Sequence, residues 1–464
     1  MSENNYKKAG TFYLVGNVFN KGIAFLTVPV FTRILSTSDY GIVTTYNSWI
    51  GILSMIMGFA LHMSIRMASV DYKEKIDDFM STIVMFTSIT SAVMIAIAFV
   101  CIKVFHIDIN LSLVIICMMH AYATATIEDY SSYLMMQYRY KRRTALMILP
   151  NYIPVVVSII TIKLYLGRII PTATITTIFG IMIVILVLRK GKIQIKREYI
   201  RYAMAISAPL IFHGIALNIL SQSDRIMITA LADSSQTGIY SLIYNFSMIA
   251  TVITTTLEGV WVPWFINKLK EGSRKEIGVV AKDYIHLMTY AMSCLLLVAP
   301  EVVKILANKN YWEGISIIPP VVLANYVIFA YSLYVNIEHY YKKTPYITIN
   351  TIIAAVSNII LNFIFIPKFG YVAAAYTTLA SYVISFALHS RYAKKLEPDL
   401  YPLKQFIIPL SHLLVITVMF YLFKEQFVVR WALMIVYVLL MAFRERYRLK
   451  IYFPEIHFFR KAHK

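Results

Sequence analysis

Cysteine is scarce in this chain: Cys101, Cys117 and Cys294 are the only three, and all fall inside apolar stretches. Neither their number nor their spacing fits a disulfide framework or a metal site. The glycine-lysine loop of nucleotide hydrolases is also missing, as are a His/Cys metal spacing and the serine elbow of hydrolases. The sequence therefore points away from an enzyme and implies no cofactor and no metal. Charge is sparse too, at 15% of residues, and acids are outnumbered, 24 against 44 Lys and Arg. Soluble helices need charged faces, and the long apolar segments here lack them. The excess of basic residues lies between apolar runs and builds no basic domain, which argues against nucleic acid as a partner.

What the chain has in quantity is apolar sequence: 59% hydrophobic residues and a mean hydropathy of +0.65. A helix needs roughly 20 mostly apolar residues to cross the hydrocarbon core of a bilayer. Apolar runs between charges predict spans near 11–32, 42–64, 82–102, 111–136, 145–164 and 169–188. A basic connector follows, RKGKIQIKREYIRY, and then spans near 204–230, 239–263, 283–303, 315–337, 346–366 and 371–389. Two weaker ones near 405–423 and 429–443 end the set, and that pair also reads as a single re-entrant hairpin. The fold class expected is an all-α polytopic membrane protein with about 14 transmembrane helices. The first span follows Lys7 and Lys8, has Lys21 near its middle and lacks a small-residue cleavage site. It reads as a retained helix.

The loops alternate in charge. One side collects 33 of the 44 Lys and Arg, including Arg139, Lys141, Arg142, Arg143 and the connector. The other side holds 8 (Arg33, Lys103, Arg168, Lys304, Lys309, Lys368, Lys424 and Arg430), and Lys21, Lys163 and Arg225 lie within spans. The basic side is the cytoplasmic one, so both termini are expected there. No outer loop is long enough to hold a catalytic domain.

Two turns resemble each other. ILSTSDYGIVTTYNSW from Ile34 and LADSSQTGIYSLIYNF from Leu231 share a Ser-rich turn, a Gly-Ile step and a Tyr-Asn pair, with Gly41 and Gly238 197 residues apart. Chance similarity of two helix turns is the plain alternative. A true repeat implies two like-oriented six-helix halves, a recurrent transporter plan with the substrate between them. The expected division is a first six-helix lobe over 1–200, a second over 201–392, and two further helices with a basic cytoplasmic tail over 393–464.

Ionisable groups inside spans are costly unless they face the bundle interior or water. Lys21 sits mid-span with Asn17 one turn earlier and Asn20 beside it, a polar face too deep for snorkelling. The second span carries Asn47, Gly51, Ser54, Gly58 and His62 at steps of three and four, with Arg66 just beyond. Helix packing explains the glycines, whereas Asn47 and His62 could face water. Gly214, Asn218, Ser221 and Arg225 share one face of the seventh span. Asp224 is turned from Arg225 by about 100°, so the two cannot point to one spot. Thr251, Thr255 and Glu258 share a face of the eighth span; His120, Thr124 and Glu128 share one of the fourth. The two glutamates read either as interfacial acids or as a proton or sodium site. Thr351, Asn358 and Asn362 suit packing hydrogen bonds.

FNKGIAFLTVPVFTRILSTSDYGI in the first span and SDRIMITALADSSQTGIYSLIYNF at the seventh and eighth resemble the polysaccharide-export flippases, the Wzx-type O-antigen and capsule transporters. Pro29 and Arg33, Asp39-Tyr40-Gly41 and Asp224-Arg225 carry the likeness, which covers roughly residues 8–390. It also extends to the wider multidrug/oligosaccharidyl-lipid/polysaccharide exporter superfamily. The resemblance implies twelve to fourteen helices in two lobes around a central cavity open to one side at a time. It implies transport of undecaprenyl-diphosphate-linked oligosaccharide across the bacterial inner membrane, with membrane lipid, a polysaccharide polymerase and a chain-length regulator as partners.

Under that reading Lys21, Asn17, Arg225, Asn47, His62 and Arg66 are the substrate-binding candidates, the cations drawing the diphosphate. Asp224, Glu258 and Glu128 are the candidates for ion coupling. A drug/cation antiporter of the same superfamily is the main alternative, although its site should favour carboxylates over a central lysine. A polysaccharide polymerase or ligase would need a large outer loop with catalytic Arg or His. A non-catalytic scaffold of the biosynthetic complex would translocate no lipid.

Overall fold

The computed structural model of the protein describes residues 26–161, 164–246 and 248–444, with residues 19, 22 and 23. Among them every regular element is helical. Residues 26–34 are helical, and fourteen further α-helices follow. They are α1 (Thr37–Gly58), α2 (His62–Asp71), α3 (Ile76–Val104), α4 (Leu111–Met136), α5 (Tyr140–Thr161), α6 (Leu166–Leu188) and α7 (Arg197–Leu231). The rest are α8 (Ser234–Phe246), α9 (Met248–Lys270), α10 (Arg274–Leu306), α11 (Ile318–Tyr340), α12 (Thr344–Leu396), α13 (Lys404–Leu422) and α14 (Phe427–Arg444).

Polar caps set several boundaries. Ser36 accepts the Asp39 N–H at the start of α1 and Asn110 the Leu113 N–H at the start of α4, filling donors that a helix leaves free. Pro319 and Pro320 open α11, where no intrahelical N–H is lost. Eleven helical segments are long and apolar enough to cross a membrane. One of them, α12, is two spans in series: Gly370 breaks it at φ 59°, ψ −147°, a region open to glycine alone. Counting its arms separately gives twelve such segments among the described residues; most of the expected first span, 11–32, lies outside the described residues. Side chains such as Ile97, Val100, Phe363 and Leu439 stand exposed on these helices, as lipid-facing residues must. The chain is a multi-pass membrane protein.

One element differs from expectation. The second span is not a single helix over 42–64 but α1 and α2 in series, parted at Phe59 and Ala60, both left-handed at φ 49° and 50°. Neither proline nor glycine forces this break; tertiary partners hold it. Leu61 and Ile65 are fully buried in a core with Phe79, Ile83, Tyr133 and Leu134. The freed Ala60 carbonyl accepts from Ser207 of α7 at 3.2 Å, and the His62 N–H donates to buried Asp129 of α4. Backbone groups released at membrane depth need such partners.

The two similar turns meet each other. A Cβ on Gly41 would lie 1.7 Å from the Ser234 carbonyl oxygen, and one on Gly238 would lie 2.0 Å from that of Thr37. The contact is reciprocal at the 197-residue offset. Thr37 pairs with Ser235 at 2.5 Å and Ser38 with Ser234 at 2.6 Å. Thr44 and Ser241, equivalent positions, bond to each other at 3.0 Å, as residues on a local two-fold axis do. Asp39 accepts the Tyr165 N–H ahead of α6, and Gln236 accepts the Tyr371 N–H at the start of the second arm of α12.

The chain packs as two compact units, residues 1–242 with 348–381, and residues 243–347 with 382–464. In the second, α13 and α14 are separate helices. Arg430 of α14, fully buried, donates to Glu301 of α10 and to the carbonyls of Phe423 and Lys424.

Candidate functional site

A polar cavity of about 860 Å³ opens inside the first unit, lined from α1, α2, α4, α5, α6 and α7. Helical spacing puts its side chains there. Asn47, Gly51 and Ser54 line it from α1, His120, Thr124 and Glu128 from α4, and Arg168, Thr172 and Thr176 from α6, each a set at steps of three or four. The break at Phe59 and Ala60 lets α2 add His62 and Arg66. α5 contributes Arg143 and Asn151, and α7 contributes Asn218. Among the described residues no Phe, Tyr or Trp lines it.

Three arginines and one glutamate set the field. Arg143 donates from Nε to Ser131 at 3.1 Å. Arg168 donates from Nη1 to Ser158 and Thr172, at 3.2 and 3.3 Å, and its guanidinium lies 4.4 Å from the centre of the Phe31 ring. Arg66 has a buried Nε with no hydrogen-bond partner among the described residues. His120 is held by Tyr46 at 3.1 Å. Neither Arg66 nor Arg168 forms an ion pair with a carboxylate among the described residues. Among the described lining residues one glutamate stands against three arginines, a surplus of positive charge that suits an anion. Outside the spans, Lys190 of the connector is pushed below the usual lysine value by burial, then by the positive charge of Arg139 and Arg142.

Of the residues singled out from sequence, Asn47, His62, Arg66 and Glu128 share this cavity. Lys21 and Asn17 lie outside the described residues. Asp224 and Arg225 do not line the cavity; both are buried in α7 with separate partners, as their 100° offset requires. Arg225 donates to the Ser221 carbonyl at 3.1 Å and to Gln222 Oε1 at 2.9 Å. Asp224, 1% exposed, accepts from Tyr240 at 2.5 Å, Asn362 at 2.7 Å and Thr378 at 2.6 Å. Asn358 and Asn362 do make the packing hydrogen bonds expected of them, Asn358 to Ser223 and Thr378. Glu258 is half-buried on α9, in the second unit.

Arg143 and Arg168 were counted as loop charges in the sequence, yet both reach the cavity. For Arg168 a signal was present: Arg168, Thr172 and Thr176 form a polar face on an otherwise apolar helix. For Arg143 none was, because it stands in a run of basic residues. Among the described residues no three His, Cys, Asp or Glu side chains gather as a metal site would need.

Comparison with known proteins completes the picture. The family described as polysaccharide biosynthesis protein matches residues 7–268. No curated protein sequence matches the chain. Among solved structures, the lipid II flippase MurJ in its inward closed conformation superposes with a TM-score of 0.70 at 16% identity, over 94% of this chain and 98% of that one. An inward-facing multidrug resistance MATE family transporter of the MOP superfamily gives 0.63 at 12%, over 82% and 96%. An outward-facing one gives 0.52 at 13%, over 84% and 97%. At these identities the likeness is one of fold. The chain belongs to the polysaccharide biosynthesis protein family and shares the fold of these solved structures.

Proposed function

We propose that this protein flips undecaprenyl-diphosphate-linked oligosaccharide, an O-antigen or capsule repeat unit, from the inner to the outer leaflet of the bacterial inner membrane. The observation that carries this reading is the arginine-lined cavity. Among the described lining residues three arginines stand against one glutamate, and a diphosphate diester is an anion that such cations attract. Asn, Ser and Thr side chains around them suit sugar hydroxyls. Arg66 and Arg143 bind the diphosphate, with Asn47 and His62 beside them. Lys21 and Asn17, outside the described residues, are the further binding candidates, from the first span. Arg225 stands outside the cavity and acts from α7.

Transport proceeds by alternating access between two six-helix lobes, 1–200 and 201–392, with both termini cytoplasmic. The reciprocal contact of the two glycine turns supports that division. Asp224 is the best-supported ion-coupling group, a buried carboxylate ringed by amide and hydroxyl groups; Glu128 and Glu258 are the others. A polymerase and a chain-length regulator are the expected partners.

The test is transport in vesicles reconstituted with the full-length protein and labelled undecaprenyl-diphosphate oligosaccharide. Arg66→Gln with Arg143→Gln should slow transfer tenfold or more. The MATE likeness keeps a drug antiporter as the second reading. Clear drug resistance conferred on a strain without efflux pumps, with no lipid transfer in vesicles, would sink the flippase reading.

A further inference from the structure

The cavity cations are not gathered in one place. Arg143 stands in the first turn of α5, and Arg66 of α2 is within electrostatic reach of it. Arg168 hydrogen-bonds Ser158, which lies 15 residues further along the same α5 helix. At 1.5 Å per residue that is roughly 22 Å. A diphosphate is far shorter than this, so no single one can reach both ends.

Arg168 is also built to receive something. Its Nη1 is fixed by Ser158 and Thr172, and the guanidinium rests against the Phe31 ring. Ser158 is fully buried. These neighbours orient the cation without neutralising it: no carboxylate pairs with it among the described residues, and Nε and Nη2 make no hydrogen bond to them. A guanidinium held this way offers the planar, two-pronged face that binds oxyanions. A purely structural arginine would instead be expected to sit on a carboxylate, as Arg430 does on Glu301 or Arg274 on Glu397.

We propose that Arg168, with Ser158 and Thr172, forms a second oxyanion subsite at the far end of the cavity from Arg66 and Arg143. Its ligand is a phosphate or carboxylate group of the transported lipid. It is either the diphosphate head after crossing the cavity or an acidic sugar held while the head stays at Arg66. The flippase reading supplies only the source of that oxyanion; the existence of two anion subsites does not depend on it.

Calorimetric titration of the full-length protein in detergent with inorganic pyrophosphate tests the subsite directly. Two anions should bind per chain, with one lost in Arg168→Gln, one lost in Arg66→Gln, and the second weakened several-fold but still present in Arg168→Lys, which keeps the charge without the fork. If Arg168→Gln fails to fold, judged by thermal unfolding, Ser158→Ala should weaken the second site several-fold while leaving the first unchanged. A single wild-type site, or variants that leave both sites intact, overturns the proposal.

Vesicle transport then separates the sources. If the diphosphate visits Arg168, Arg168→Gln slows bare undecaprenyl diphosphate and every sugar-bearing lipid alike, tenfold or more. If a sugar acid does, only lipids carrying a uronic acid are slowed. Wild-type protein that binds two pyrophosphates yet moves no lipid removes the flippase reading and leaves the subsite standing.

Discussion

Gly41 and Gly238 sit in mirror roles, each helix turn pressing its glycine onto the other turn's backbone so closely that a methyl group would fall 1.7 or 2.0 Å from a carbonyl oxygen. Backbone cannot move aside as a flexible side chain can. Gly238→Ala or Gly41→Ala should therefore force the turns apart at a cost of about 1–3 kcal/mol. Cysteines at Ser38 and Ser234, whose hydroxyls are 2.6 Å apart, should cross-link readily in the parent and several-fold less in either alanine variant. Unchanged cross-linking would show that the contact is not held as described.

Asp224 collects three hydrogen bonds in a fully buried setting. Asp224→Asn keeps the shape but sets an amide donor against one of those donors, at a cost of about 1–3 kcal/mol. Thermal unfolding in detergent should fall by several degrees. If ion coupling passes through this group, residual transport should also lose its dependence on the sodium or proton gradient. Transport that still follows the gradient would leave Asp224 a packing residue.

Glu397 follows α12 and binds Arg274 of α10 through two hydrogen bonds, at 2.7 and 2.8 Å, with Tyr341 adding a third at 2.5 Å. The hydrogen bonds from Arg274 chiefly hold its carboxyl below the ordinary value of 4.5. Its folded pKa lies under its unfolded one, so its contribution to stability is complete above the unfolded value and fades as pH falls through the folded one. Glu397→Gln should be less stable than the parent at pH 7, and the gap should narrow below pH of about 4.3. A gap in melting temperature that stays constant from pH 7 to 3 would contradict this assignment.

Ala60 holds a left-handed φ of 50°, which costs an L-residue roughly 1–2 kcal/mol that glycine avoids. Ala60 is almost fully buried, and its carbonyl bond to Ser207 uses only backbone. Ala60→Gly should thus leave stability unchanged or raise it by up to about 1 kcal/mol, after its greater unfolded-state entropy. Ala60→Val, with a branched side chain at the same φ, should lower it clearly. A destabilised glycine variant would mean that the methyl contact outweighs the strain.

Much of the architecture was legible because a bilayer demands long apolar runs and charge alternation records their ends. The likeness of the two turns was legible because Gly41 and Gly238 sit where only glycine fits. The break at Phe59 and Ala60 was not. Ser207, Asp129 and the core around Leu61 hold it from other helices, and no local residue announces it. For the cavity, the faces carrying Asn47, His62 and Glu128 could be read from helical spacing. Arg143 and Arg168 were hidden at span ends, where an arginine ordinarily belongs to water. Asp224 and Arg225 were legible as intramembrane charges on different faces, but the partners that hold Asp224, brought by α8 and α12, were not.

Among the described residues no Phe, Tyr or Trp lines the cavity, and under the flippase proposal this has a consequence for what can change over evolutionary time. A flat aromatic platform would commit a binding site to sugars of particular faces. Arginines aimed at a phosphate commit it only to the part of the cargo that never varies. A carrier gripping its load that way leaves the glycan free to diversify. A bacterium could then alter its surface sugars by exchanging glycosyltransferases, without having to refit the exporter each time.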